Sequence, residues 1–294
     1  MKENTVLIPE EKTTLLPFLI KSLPDQSRNN VKSLLTYRQV LISGKQATRH
    51  DAPLAAGTRV EISWSKPRGT REDELEVIYE DEYVIAVNKP SGLLSIASDR
   101  EKEKTAYHML TTYIKTRNPH ARIFVVHRLD KETSGVLLVA KTEEVKRALQ
   151  DKWNELVTKR EYIALVEGAP ENDFGTVKSK LRETTTHLMY SCETGGELAI
   201  TNYEVLRRGN GYSMLKIDIK TGKKNQIRVH MQDMGHPIAG DKKYGARSNP
   251  IKRLALHASV IELKYPFTGE TLTLSAKIPR SFQKLSIAND NKKD

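Results

Sequence analysis

Residues 124–142 read FVVHRLDKETSGVLLVAKT. Two apolar runs, Phe124–Val126 and Val136–Ala140, have the composition of buried strands, yet His127, Arg128, Asp130, Lys131 and Glu132 stand between them. A polar connection facing water is the ordinary explanation of such a stretch. The sharper one is that the two strands hold a carboxylate, Asp130, at a fixed place in a cleft.

Working outward, the chain has 294 residues, of which 38% are hydrophobic and 29% charged. At roughly 100–200 residues per domain this predicts two domains, or one large domain with a small appendage. No run approaches the roughly 20 apolar residues of a membrane helix, and MKENTVLIPEEK lacks the apolar core of a secretion signal. A cytoplasmic protein is expected. The single cysteine, Cys192, excludes an internal disulfide and a Cys-rich zinc site. Neither HExxH, GxxxxGK[ST] nor GxGxxG occurs, so a nucleotide cofactor has no support in the sequence, while a His-based metal site is not excluded.

The net charge is +11, and it is unevenly spread. Residues 1–71 carry 12 Lys/Arg against 6 Asp/Glu, residues 207–253 carry 12 against 3, and the remainder is slightly acidic. Local positive charge of this kind suits a polyanion, because neutralised phosphates release their counterions. A solvated basic face is the plain alternative.

Residues 14–31 have weak helical character interrupted by Pro17 and Pro24. Val31, Leu34 and Leu35 then fall on one helical face, and VLIS and RVEISW alternate as strands do. This helix and hairpin, with Lys32, Arg38 and the Gly44-Lys45 turn, resembles the alpha-L RNA-binding motif of ribosomal proteins. The expected organisation is a small α/β RNA-binding module over 1–68, a linker over 69–76 where the charge turns from basic to acidic, a catalytic domain over 77–284 and a polar tail over 285–294. Helices are expected near 105–115 and 143–155. Strands outnumber them, NQIRVHMQ at 225–232 being read as one, and do not alternate with them regularly. The fold class is therefore α+β with a large, mostly antiparallel mixed sheet.

Six blocks occur in order: VNKPSGLL at 87–94, HRLDKETSG at 127–135, KREYIALVEG at 159–168, TGKKNQIRVHM at 221–231, GHPIAGDKKYG at 235–245 and RLALHA at 253–258. Together they resemble the RluA-type RNA pseudouridine synthase family across residues 75–280. The resemblance implies the pseudouridine synthase sheet with a central RNA-binding cleft, and a cofactor-free enzyme that detaches a uracil from its ribose, turns it and rejoins it through carbon. It places the catalytic aspartate at Asp130, the base-packing tyrosine at Tyr162, and at Arg228 an arginine that pairs with the aspartate. Arg128 would fill the space left by a flipped-out nucleotide, and His127 beside it would pack or hydrogen-bond locally on the RNA side. One block departs from the family pattern: Lys223, Lys224 and Asn225 follow Thr221-Gly222 where Arg, then Thr or Lys, then His are usual. Lys223 and Lys224 are counted with Lys32, Arg38 and Lys45 as RNA contacts.

The chemistry suits these residues. Glycosidic cleavage leaves positive character on the sugar, which a carboxylate can attack, stabilise or relieve of a proton. A guanidinium nearby keeps such a carboxylate charged without losing its own charge. Ribosomal RNA is the expected partner, with tRNA second, and the chain is expected to act as a monomer. Two other classes compete. A phosphatase of the haloacid dehalogenase type would use Asp130 with magnesium and needs a downstream acidic pair that the sequence lacks. A non-catalytic RNA-binding protein would keep the basic segments alone.

Overall fold

A computed structural model describes residues 4–36, 39–47, 49–64, 75–98, 101 and 103–285. Arg38, residues 69–74 of the expected linker and residues 286–294 of the expected tail lie outside the described residues. The chain divides into two compact units, residues 1–73 and 74–294.

In the smaller unit, helices Leu15–Ser22 and Arg28–Thr36 accompany a four-stranded antiparallel sheet ordered Thr5–Leu7, Val60–Ile62, Val40–Ile42, Lys45–Gln46. The two prolines bound the first helix rather than break it. Pro17 sits in the first turn, where an N–H has no helical acceptor, and Pro24 follows the C-cap Leu23. Leu15, Leu19, Val31, Val40, Val60 and Ile62 are fully buried. Ser43 and Gly44 both have positive φ, 48° and 79°, the backbone that a two-residue hairpin turn demands.

The larger unit is built on a mixed sheet, mostly antiparallel. Its strands run in the order Met189–Cys192, Phe174–Glu183, Glu197–Gly209, Tyr212–Ile219, Val157–Glu167, Leu256–Lys264, Ser134–Ala140, Val84–Lys89, Glu76–Glu80, with Thr271–Ser275 and Phe124–Val125 attached to its centre. The Ser134–Ala140 strand is buried along its whole length. Val136, Leu138 and Ala140 meet Val145 and Leu149 of helix Glu143–Gln150, while Leu137 and Val139 meet Leu110 and Ile114 of helix Ala106–Lys115. A strand covered on both faces reads as an unbroken apolar run, which explains VLLVA. Thr105 and Thr142 cap the two helices, their hydroxyls accepting from His108 N and Val145 N.

Among the described residues one pairing in this sheet is parallel, Ser134 with His257 and Gly135 with Ala258. There the two backbones nearly touch. Gly135 has φ 117°, and a Cβ on it would lie 2.0 Å from the Ala258 carbonyl oxygen. Ser134 Oγ lies 2.8 Å from His257 Nδ1 and accepts from Arg253 Nη2 at 2.6 Å, closing the junction with side chains.

His127 also belongs to this framework. Its Nε2 accepts from Leu138 N at 3.0 Å and its ring stacks on Trp153 at 5.2 Å between centroids. Burial, and after it the Arg160 charge, pushes its pKa down to about 4, so the ring is neutral with its proton on Nδ1. The local packing and hydrogen bonding expected of His127 are seen here, its acceptor nitrogen being taken up by a strand. His257 is likewise lowered to about 4, chiefly by burial.

The stretch read as strand NQIRVHMQ is helix Gln226–Asp233. Ile227, His230 and Met231, spaced three and four apart, face the core together, while the alternation of Ile, Arg and Val imitates a strand.

Gly135→Ala is expected to destabilise the larger unit by roughly 2–4 kcal/mol, seen as a lower urea midpoint, because both φ and the Ala258 carbonyl oppose a methyl group. Acid should weaken the fold through its buried histidines. An unfolded histidine binds a proton near pH 6.5 but His127 and His257 only near 4, so stability falls as pH drops through that window, by roughly 2 kcal/mol for each by pH 5. His127→Gln should make the unfolding free energy depend less steeply on pH between 6.5 and 4, by up to about 1.4 kcal/mol per pH unit; an unchanged slope would mean that His127 is not buried neutral.

Candidate active site

The turn after strand Val84–Lys89 holds the backbone on which Asp130 sits. The fully buried Lys89 side chain donates from Nζ to the carbonyls of Pro90 at 3.0 Å, Leu93 at 2.7 Å and Lys131 at 3.2 Å. Ser91 Oγ donates to Glu132 O at 2.6 Å, and Gly92 N to Lys131 O at 2.9 Å. Ser95 Oγ both donates to Leu129 O at 2.8 Å and accepts from Leu129 N at 3.1 Å. The residues on either side of Asp130 are thus fastened to KPSGLLS, and Thr133 N closes a turn on Asp130 O at 3.1 Å. Burial lowers the Lys89 pKa to about 8 against the opposing pull of Glu132 and Asp130, with Arg253 adding to the lowering.

Asp130 is half-buried, and among the described residues its carboxylate makes no hydrogen bond and no ion pair. Tyr162, on strand Val157–Glu167, packs along the core with its hydroxyl likewise unbonded among the described residues. Burial pushes the phenol up to about 12, with Arg160 opposing and the Asp130 charge reinforcing. Asp130 also acts on Arg228, whose pKa stands above the ordinary value because its Asp241 bonds outweigh the lowering by burial, Asp130 contributing further. The three predicted residues are therefore electrostatic neighbours.

The expected pairing is corrected, however. Arg228 grips Asp241, not Asp130: Nε donates to Oδ2 at 2.6 Å and Nη2 to Oδ1 at 2.7 Å, a two-pronged bond to a carboxylate only 1% exposed. Nη1 donates to Asn225 Oδ1 at 3.2 Å, and the guanidinium lies over the Tyr244 ring at 4.8 Å. A buried carboxylate needs a permanent cation more than the half-exposed Asp130 does.

The departure at 223–225 also has a structural basis. Asn225, which precedes the helix, has φ 53°, a backbone that asparagine tolerates well, and its Nδ2 donates to Tyr244 Oη at 3.0 Å. Gln226 ties the preceding loop, its Oε1 accepting from Thr221 Oγ1 at 2.8 Å and Lys223 N at 3.0 Å. Lys223 Nζ is held by Glu197 at 2.6 Å and Lys224 Nζ by Glu183 at 2.5 Å, so neither presents a free cation. Arg128 is exposed and makes no side-chain hydrogen bond or ion pair among the described residues. Lys32 and Lys45 are exposed in the smaller unit and are described only within it.

Sequence reasoning missed Lys89, Ser91 and Ser95, whose KPSG block reads as an ordinary turn, and Asp241 and Tyr244. GHPIAGDKKYG did carry the signal for the last two: an acid and an aromatic in a short polar block following an arginine-bearing one. Among the described residues no cluster of three His, Cys, Asp or Glu could hold a metal ion.

Comparison with known proteins bears on the same residues. A family model described as RNA pseudouridylate synthase matches residues 83–233. An RNA pseudouridine synthase of Aquifex aeolicus is 30% identical, with 96% of each chain covered. The ribosomal large subunit pseudouridine synthase D of Escherichia coli O6:H1 is 30% identical over 91% of this chain and 87% of its own. Among solved structures, human RNA pseudouridylate synthase domain containing 4 superposes with a TM-score of 0.60 at 23% identity, over 73% of this chain and 95% of that one, a likeness of fold. These matches set aside the phosphatase and the non-catalytic binder: the chain belongs to the RNA pseudouridylate synthase family and is an RNA pseudouridine synthase.

Proposed function

We propose that this enzyme isomerises specific uridines of ribosomal RNA in the cytoplasm, working as a monomer with Asp130 as its catalytic residue. The observation that carries this reading is the Asp130 carboxylate itself, fixed through its neighbours' backbone and left without a partner, so that its oxygens are free for a substrate. Such a group can attack the ribose or the uracil ring, or take a proton. Arg228 supplies a standing positive charge nearby, Tyr162 presents an aromatic face to the extruded base, and the exposed Arg128 fills the gap that base leaves in the RNA. The name of the Escherichia coli relative supports ribosomal RNA over tRNA. The smaller unit adds phosphate contacts through Lys32, Arg38 and Lys45 without reading sequence.

Asp130→Asn should cut pseudouridine formation by at least about a thousandfold while RNA affinity stays within about threefold. Nucleotide-resolution mapping in cells lacking the protein should show one or a few ribosomal sites missing, restored by the wild-type chain and not by the variant. Sites restored by the variant would remove Asp130 from the chemistry, and sites lost only from tRNA would move the substrate there. Removal of residues 1–68 is expected to weaken RNA binding and flatten its dependence on salt; an unchanged salt slope would take the smaller unit out of RNA binding.

A further inference from the structure

Strand Phe174–Glu183 reads FGTVKSKLRE, and alternate side chains on a strand face opposite sides of its sheet. Gly175 stands across from Tyr203, Tyr203 from Ile217, and Ile217 from Tyr162, so the odd-numbered residues share the face of Tyr162. The even-numbered ones lie on the other face, and Phe174, Thr176, Lys178, Lys180 and Arg182 are all exposed. Phe174 is 76% exposed, which is not how an aromatic contributing to a core behaves.

The charges on this face differ from their neighbours. Arg208 holds Asp173, Lys216 holds Glu204, Lys220 holds Asp218, and the two lysines near Asn225 hold glutamates. Among the described residues, the side chains of Lys178, Lys180 and Arg182 make no ion pair and no hydrogen bond. They repeat every second residue, about 7 Å apart, a separation comparable to that of neighbouring phosphates in an extended nucleic-acid strand. Apolar surface accompanies them: Leu198 stands opposite Lys180 and Tyr190 opposite Arg182, 45% and 38% exposed. A row of unpaired cations with aromatic groups at both ends is how proteins hold single-stranded nucleic acid without reading its sequence.

We infer that this face is a second RNA contact, on the side of the sheet away from Tyr162, where an extended single strand lays successive phosphates on Lys178, Lys180 and Arg182 and stacks a base on Phe174. The inference rests on RNA being the substrate and adds to it a place where RNA outside the target nucleotide is held. The cations supply affinity and the ring anchors the strand, so base sequence matters little here.

The test uses the full-length protein, a fluorescein-labelled oligouridylate as probe, and pseudouridine formation in ribosomal RNA as a separate readout. Lys178→Ala/Lys180→Ala/Arg182→Ala should make the slope of log affinity against log salt shallower by about 2, near 0.7 for each phosphate that is no longer neutralised. Phe174→Ala should weaken binding about tenfold at an unchanged slope. In ribosomal RNA the triple variant should raise KM and leave kcat near wild type. Affinity and slope unchanged in the triple variant, while wild type still forms pseudouridine, would overturn the second contact and leave the enzymatic reading standing. A wild-type protein that forms no pseudouridine in ribosomal RNA or in tRNA would strike the enzymatic reading instead, and this inference with it. Loss of binding to phosphatidylglycerol vesicles with oligouridylate binding intact would assign the face to an anionic membrane and overturn the inference.

Discussion

The placement of Asp130 depends on one buried ammonium group. Lys89 is removed from water and given three backbone carbonyls in exchange, one of them, from Lys131, belonging to the loop that carries Asp130. A buried cation so satisfied cannot drift, because losing any of these oxygens would leave a charge undersolvated in a medium that does not screen it. The two serines of the same block fasten the loop on either side. Asp130 is therefore placed by bonds to its neighbours, and its own oxygens remain uncommitted. A carboxylate positioned by bonds to itself would have to break them before meeting a substrate.

The framework around the loop serves the same end. The parallel pairing of Ser134 and Gly135 with His257 and Ala258 brings two backbones together beside the loop, and glycine at 135 permits it. His127, at the loop's other end, gives its acceptor nitrogen to Leu138 and its ring to Trp153. Both ends of HRLDKETSG are thus tied to strand Ser134–Ala140, buried along its whole length, so the site inherits the rigidity of the core.

Much of this was legible in the residues. The unbroken VLLVA run announced a buried strand, helices were expected near 105–115 and 143–155, and the ordered blocks named Asp130, Tyr162 and Arg228, which the fold makes electrostatic neighbours. What escaped was of two kinds. Local alternation misled at NQIRVHMQ, where the helix is set by which residues meet the core rather than by the two-residue period. Strand Phe174–Glu183 escaped for the opposite reason: exposed on one face and polar along most of its length, it offers almost no apolar pattern to read. The partner of Arg228 could not be read at all. Either Asp130 or Asp241 satisfies a guanidinium on paper, and the choice follows from relative burial, which only the fold decides.

That choice alters the kind of field in which Asp130 sits. With Asp241 locked to it, Arg228 presents not an isolated charge but one pole of a dipole. A dipole's influence decays with distance faster than a lone cation's, so it is felt strongly by its immediate neighbours and little by RNA approaching from afar. Long-range attraction of the polyanion is left to cations elsewhere on the surface. Recruitment of RNA and tuning of the Asp130 carboxylate thereby become separate electrostatic tasks, carried by different arginines and lysines, and a change in one can leave the other untouched.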